Sequence, residues 1–141
     1  MKHVEKFILE HNTMTIATAN NGNPAAAAVF YVPINEGRRL LFVSSEKSEH
    51  ITNLKNNINC AVTIQEDGQD WNIIRGIQIK GEIRESDDKN WEKYFDKYDY
   101  INNDETLSKA LEKVKLYELR IKWLRMIDNS KGFGNREEYL L

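Results

Sequence analysis

Two stretches in which apolar and polar residues alternate constrain the fold of this chain more than any other feature. In residues 71–85, isoleucines occupy alternate positions and the residues between them are charged or polar. Residues 116–127 alternate in the same way, which predicts that Trp123 lies on the side of Leu119 and Ile121. Successive side chains of a β-strand point to opposite faces, so this period of two predicts two long strands with one buried face each. Both strands are expected to belong to an antiparallel sheet.

Shorter β-favouring stretches between turn signals predict four further strands, at residues 13–19, 25–34, 40–43 and 60–66. Asn, Gly, Asp and Pro clusters mark tight turns between them. Gly76 and Gly81 interrupt the strand at 71–85, which predicts bulges or close backbone approach there. Strands joined by short turns pair antiparallel, and a barrel removes their exposed edges. We therefore predict one α+β, mainly β domain over residues 1–141, built as a six-stranded antiparallel β-barrel with flanking helices.

Helical periodicity predicts four helices around this sheet. Two cover residues 2–11 and about 48–58, the third follows a cap at Ser86, and the fourth follows a cap at Asp104. The third helix carries aromatic residues at helical spacing: Trp91, Tyr94, Phe95 and Tyr98. An aromatic binding surface is one interpretation of this stripe, but burial in the core is the favoured one.

Composition narrows the classes of function. The chain has 141 residues, 40% of them hydrophobic and 30% charged, with a formal net charge of −2. It lacks the basic excess that nucleic-acid binding requires, and no apolar run is long enough to span a membrane. The N-terminus does not resemble a signal peptide, so a cytoplasmic protein is expected. The single cysteine, Cys60, lies in an apolar run and is expected to be a buried structural thiol. The three histidines lack metal-ligand spacing, so no metal site is predicted.

Residues 40–54, LLFVSSEKSEHITNL, combine a buried strand with a polar joint and a helix start. A strand that delivers the Ser44 and Ser45 hydroxyls and the Lys47 ammonium to a helix N-terminus is suited to hold an anion, because free backbone N–H groups and the helix dipole lie there. The alternative is an ordinary strand–helix joint in which Ser48 is the N-cap.

Four segments, taken in order, resemble the FMN-binding split-barrel family, the pyridoxamine 5′-phosphate oxidase-like proteins. They are TMTIATANNGNPAAAAVFYV, LLFVSSEKSEHITNLKNNINCAV, IRGIQIKGEIRE and IDNSKGFGNREEYLL. The last two are similar to an uncharacterised branch of the family with an R-G-x-Q-x-x-G strand and a D-N-x-x-G-F-G tail. Together the segments cover most of the chain outside the helices near 86–114.

The resemblance implies a six-stranded split barrel and a homodimer that holds two FMN molecules at its interface. The charge balance and the lack of a long apolar run predict no nucleic-acid or membrane partner. Its implied cofactor-binding residues are Phe30, Ser44, Ser45, Lys47, His50, Arg75, Gln78, Trp123, Asn129 and Phe133. The serines and Lys47 would line the phosphate and ribityl chain, and the alanine strand would lie along the flavin ring. His50 departs from the pattern, because many members place Lys or Arg there and a neutral imidazole supplies less charge.

The resemblance implies an FMN-dependent oxidoreductase of unknown substrate, for which a nicotinamide nucleotide is a candidate reductant. No catalytic residue is assigned. Oxidation of pyridoxamine 5′-phosphate itself is not predicted. The substrate phosphate would need a C-terminal set of arginine and histidine residues, and Arg136 is not part of such a set. Two alternatives stay open: a non-catalytic protein that binds or stores FMN or haem on the same barrel, and a dimeric adaptor barrel without a ligand.

Overall fold

A computed structural model describes all residues, 1–141. Its eight strands are β1 (Thr13–Asn20), β2 (Asn23–Phe30), β3 (Val32–Ile34), β4 (Arg39–Ser44), β5 (Asn59–Gln65), β6 (Arg75–Glu85), β7 (Lys115–Asp128) and β8 (Arg136–Leu140). They form one antiparallel sheet in the order β2-β1-β5-β6-β7-β4-β3, and β8 pairs with β7. Because β3 follows β2 in the chain, the two ends of this order are neighbours and the sheet curls into a barrel. The predicted mainly β antiparallel barrel is confirmed.

The strand number exceeds the predicted six for two local reasons. The strand predicted at 25–34 is interrupted at Tyr31, whose side chain is fully buried and whose hydroxyl donates to the carbonyl of Ile8 at 2.6 Å. The backbone carbonyl of Tyr31 accepts a hydrogen bond from the buried Tyr98 hydroxyl. The tail after β7 adds β8, for which no strand was predicted.

Four α-helices flank the barrel: α1 (Lys2–Glu10), α2 (Glu49–Asn56), α3 (Trp91–Lys97) and α4 (Glu105–Leu111). Asp104 caps α4 as predicted, since its carboxylate accepts from the amide of Leu107 at 3.1 Å. The predicted cap at Ser86 is wrong, because Asp87 caps a short 3-10 turn at 88–90 and α3 begins only at Trp91. Residues 71–73 form another 3-10 turn, so the strand predicted from residue 71 begins at Arg75.

The alternating apolar residues fill the barrel interior. A cluster of 21 buried residues joins the inner face of the strands to α1 and α2, and a second cluster of seven lies beneath α3. Tyr94 and Tyr98 of the aromatic stripe are buried in the second cluster, with Trp91 and Phe95 packed against it. The stripe is therefore part of the core, as expected.

A β-bulge changes the phase of β7. Ile121 pairs with Gly81 and Trp123 pairs with Lys80, so Lys122 is an additional residue without a partner on β6. Beyond the bulge the buried side chains are Leu124 and Met126. The prediction that Trp123 shares the face of Ile121 is therefore wrong, and its ring lies on the outside. Gly81 permits the close approach, since a Cβ at this position would lie 2.8 Å from Cδ1 of Leu119.

No helix in the structure combines the length and the apolar character needed to cross a lipid bilayer.

Candidate functional site

The polar joint between β4 and α2 folds into a compact hydrogen-bonded cluster. Oγ of Ser44 lies 2.8 Å from Nε2 of His50 and 3.1 Å from Oγ of Ser48. The Ser48 hydroxyl donates to the backbone carbonyl of Ser45 at 2.7 Å. Ser44 is buried, whereas Ser48 and His50 are half-buried. Two hydroxyls and one imidazole therefore meet at the start of α2, and we call them the Ser44–Ser48–His50 cluster.

The start of α2 lacks the side-chain cap that is usual for a serine in this position. Ser48 is the N-cap residue, but its side chain makes no hydrogen bond to the first turn of the helix. Its hydroxyl is committed to the Ser45 carbonyl instead. The amide groups of the first turn therefore keep their donor capacity, and the helix dipole adds partial positive charge. Ser48 was not among the predicted site residues, although its closeness in sequence to Ser44 and His50 could have indicated that it belongs to the same cluster.

The protonation of His50 follows from its surroundings. Burial lowers the pKa of the His50 imidazole below its ordinary value. A neutral imidazole has one N–H donor and one acceptor nitrogen, so it can donate to an anion without carrying charge. Lys47 is exposed on the same joint, and its backbone amide donates to Oγ of Ser45 at 3.2 Å. The joint thus contains one cation, three hydroxyls, one imidazole and two carboxylates, of which Glu46 pairs with Lys115.

Small residues line up across the outer face of the barrel. Ala26, Ala17 and Ala61 are cross-strand neighbours on β2, β1 and β5, and we call these three residues the alanine row. The same line continues over β6, β7 and β8 through Lys80, Trp123 and Leu140. All three alanines are exposed, and strand spacing makes their combined width about 10 Å. Ala17 and Ala61 of the row also line a groove of about 560 Å³, together with Ala19, Gly81 and Lys122. The outer face is therefore open and built of small side chains, with lysines at its edge.

Gln78 and Trp123, two of the predicted cofactor contacts, lie on this outer face. Nζ of Lys80 is 5.1 Å from the Trp123 ring centroid, and the Arg125 guanidinium carbon is 5.0 Å from it. Arg125 also donates to the Gln78 side-chain carbonyl at 3.4 Å and pairs with Glu138. Two cations therefore lie within cation–π distance of the Trp123 ring.

Phe30 and Arg75 lie away from the Ser44–Ser48–His50 cluster. Phe30 ends β2 on the outer face, half exposed, with its ring centroid 6.0 Å from that of Tyr98. Arg75 forms an ion pair with Glu66, and its guanidinium lies 5.4 Å from the Phe7 ring centroid. Both residues have partners within the chain, and neither contacts the joint between β4 and α2.

The tail residues form a third group. The side-chain nitrogen of Asn129 donates to the backbone carbonyl of Trp71 at 2.7 Å. The side-chain oxygen of Asn129 accepts from the backbone amide of Gly134 at 2.9 Å. These two bonds tie the tail to the 3-10 turn at 71–73, where the Trp71 and Phe133 rings are nearly parallel with centroids 6.4 Å apart. About three quarters of each aromatic side chain is exposed. Sequence reasoning did not include Trp71 in the site, because it placed this residue inside a strand.

Residues 1–128 match the family described as pyridoxamine 5′-phosphate oxidase. The chain belongs to this family. A UPF0306 protein of Pasteurella multocida is 24% identical over 140 residues, which are 98% of this chain and 90% of that protein. A UPF0306 protein of Campylobacter jejuni is 21% identical over 138 residues, covering 98% of this chain and 96% of that protein.

Solved structures share the fold at low sequence identity. ChuZ of Campylobacter jejuni superposes with a TM-score of 0.79 at 21% identity, over 99% of this chain and 58% of that one. The heme binding protein from Mycobacterium smegmatis gives 0.73 at 16% identity, over 99% and 58%. A FAD-binding protein from Mesorhizobium loti gives 0.65 at 17% identity, over 84% and 87%. This chain therefore spans little more than half the length of the first two structures.

Proposed function

We propose that this protein is an FMN-binding flavoprotein that acts as a homodimer. The observation that carries the proposal is the Ser44–Ser48–His50 cluster at the uncapped start of α2. FMN joins a dianionic phosphate and a polar ribityl chain to a flat ring system. Each of these three parts has a matching surface on this chain.

The phosphate would lie at the start of α2. Backbone N–H groups of the first turn and the Ser44–His50 pair supply donors, while Lys47 supplies the charge. The Ser48 hydroxyl donates to the Ser45 carbonyl and so leaves the amide groups of the helix start free. Ser45 lies on the same joint and is proposed to contact the phosphate or the ribityl chain.

The flavin ring would lie against the outer face of the barrel. The alanine row brings no bulky side chain between the ring and the sheet, and its width of about 10 Å suits a fused three-ring system. Gln78, Trp123 and Phe30 border this face and are proposed to contact the ring or its rim.

A homodimer would explain why the family-implied residues occupy three separate places in one chain. Arg75, Asn129 and Phe133 lie with Trp71 away from the phosphate joint. The exposed Trp71–Phe133 pair is suited to cover a flavin held by the partner subunit, since each ring keeps most of its surface free. Each FMN would then contact both subunits.

Bound FMN supplies hydride- and electron-transfer chemistry, and the chain supplies binding, orientation and exclusion of water. We propose an oxidoreductase of unknown substrate on this basis, with a nicotinamide nucleotide as the candidate reductant. No side chain is assigned to proton transfer.

Haem is the second candidate cofactor, because the heme binding protein from Mycobacterium smegmatis shares the fold. Haem iron needs an axial ligand, most often a histidine. In this chain His3 bonds Glu137, His11 bonds the carbonyl of Phe7, and His50 bonds Ser44. Each of these contacts engages one ring nitrogen, and a metal-bound histidine usually hydrogen-bonds through its second nitrogen, so the histidines do not separate the two cofactors.

The test is to purify the protein, record its absorption spectrum, and identify by mass any molecule released on denaturation. We expect a flavin spectrum and one FMN per chain, with apoprotein that rebinds FMN. A protein that binds haem and not FMN would establish the second candidate. A protein that binds neither would overturn the proposal.

A further inference from the structure

We propose a second anion site, separate from the flavin-phosphate joint, that binds a compact phosphate-bearing ligand. It lies where the turn between β3 and β4 meets the bulge of β7. Four cationic side chains from these segments line one pocket of about 250 Å³: Arg38, Arg39, Arg120 and Lys122. We call it the arginine pocket. The whole chain carries a net charge of −2, so this is a local excess of positive charge.

The register of the strands forces two of these cations together. Arg39 of β4 lies directly opposite Arg120 of β7. Like charges in directly opposed positions destabilise a sheet, unless a counter-charge lies between them. Glu118 forms an ion pair with Arg39, and Glu82 reaches Lys122 only at 4.0 Å. Glu82 also lies directly opposite Arg120 on β6, but Arg38 and Arg120 form no ion pair.

The backbone holds the pocket in a defined shape. The turn before Arg38 passes through Asn35, Glu36 and Gly37 with positive φ, and the amide of Ile121 donates to the Arg38 carbonyl at 3.1 Å. Nε of Arg39 is buried and has no hydrogen-bond partner. The planar guanidinium of arginine can donate two parallel hydrogen bonds to phosphate oxygens, so a cluster of arginines is suited to this group.

The size of the pocket limits the ligand. A volume of about 250 Å³ is below the range of about 300–1,000 Å³ that is typical of pockets for drug-sized ligands. It can hold a phosphate or pyrophosphate group, whereas the rest of a larger phosphorylated molecule would extend outward. Lys122 also lines the groove beside the alanine row, so such an extension would run toward the outer face.

The experiment is an NMR titration of the whole protein with inorganic phosphate and, in a second arm, with glycerol phosphate, both at constant ionic strength. We expect saturable amide shifts at residues 38–40 and 120–123. Saturation by inorganic phosphate alone would identify the free ion as the ligand, and saturation by glycerol phosphate would identify an esterified phosphate group. The double variant Arg38→Gln/Arg120→Gln should weaken binding at least tenfold. The matched control Lys93→Gln/Lys113→Gln removes two exposed charges elsewhere and should bind as the wild type does.

Shifts confined to residues 44–50, shifts that never saturate, or equal binding by both double variants would overturn the proposal. Titration of FMN into the arginine double variant separates this site from the proposed function. That variant should still bind FMN if the two sites are distinct. Loss of FMN binding would show that the pocket belongs to the flavin site and would also overturn the proposal.

Discussion

Oγ of Ser44 lies 2.8 Å from Nε2 of His50, and this contact joins the end of β4 to the first turn of α2. It fixes the orientation of the imidazole beside amide groups that Ser48 does not cap. A histidine whose pKa is lowered by burial therefore stands where many members of the family carry Lys or Arg. Affinity for an anion at this place should depend on pH.

His50→Ala should weaken FMN binding by roughly tenfold or more, because a hydrogen bond to a charged group is worth about 1.5–3 kcal/mol. His50→Lys should bind FMN at least as tightly as the wild type. Fluorescence quenching of FMN measures both affinities. His3→Ala is the matched control, since His3 is exposed on α1 and bonds only Glu137. Wild-type affinity in His50→Ala would contradict the proposed phosphate site.

FMN affinity should rise as the pH falls through the pKa of His50 in the complex toward its lower pKa in the free protein. Burial lowers the pKa of His50 in the free protein, which favours the neutral imidazole. A bound phosphate favours the imidazolium and raises that pKa, so binding takes up a proton and is strengthened at lower pH. Calorimetry in buffers of different ionisation enthalpy measures the proton uptake.

The phosphate itself titrates near pH 6, so the wild-type pH profile must be compared with that of His50→Gln. The variant should lose the part of the pH dependence that belongs to the imidazole. Identical profiles for the two proteins would show that His50 does not couple binding to protonation.

Ala17→Arg should block dimer formation and FMN binding together. Ala17 lies in the middle of the alanine row, and an arginine there would hold a partner or a flavin ring away from the sheet. Ala110→Arg is the control, because Ala110 is an exposed alanine on α4. Analytical ultracentrifugation measures the oligomeric state. A dimer that persists with full FMN content in Ala17→Arg would exclude this face as the interface.

Gly81→Ala should lower the free energy of unfolding by about 1–3 kcal/mol, the usual cost of overpacking. The added Cβ would meet Cδ1 of Leu119 at 2.8 Å and the carbonyl of Arg120 still closer, and backbone atoms cannot move aside. Gly76→Ala on the same strand has its nearest contact at 3.3 Å and should lose less. Urea denaturation measures both. Equal stability of Gly81→Ala and the wild type would mean that the bulge adapts to a side chain.

Local patterns in the sequence predicted most elements of the fold. The alternating isoleucines of β6, the turn clusters and the cap at Asp104 each act over a few residues, so the chain itself encodes them. The anion-binding interpretation of residues 40–54 had the same local basis. The predicted alternation of β7 was wrong after Ile121, because the additional residue Lys122 turns Trp123 to the outer face. The bulge depends on pairing with Gly81, which lies about forty residues earlier, and no pattern within β7 reports it.

The sequence by itself determined that this chain forms a curled antiparallel sheet with a polar joint before α2, because alternation and helix-start chemistry are properties of neighbouring residues. Tertiary structure alone decided which distant residues meet. Strand register set Ala26, Ala17 and Ala61 side by side on the outer face, and it placed Arg39 opposite Arg120. The physical reason is that register follows from packing of the whole barrel, so cross-strand contacts arise only when every strand has its partner.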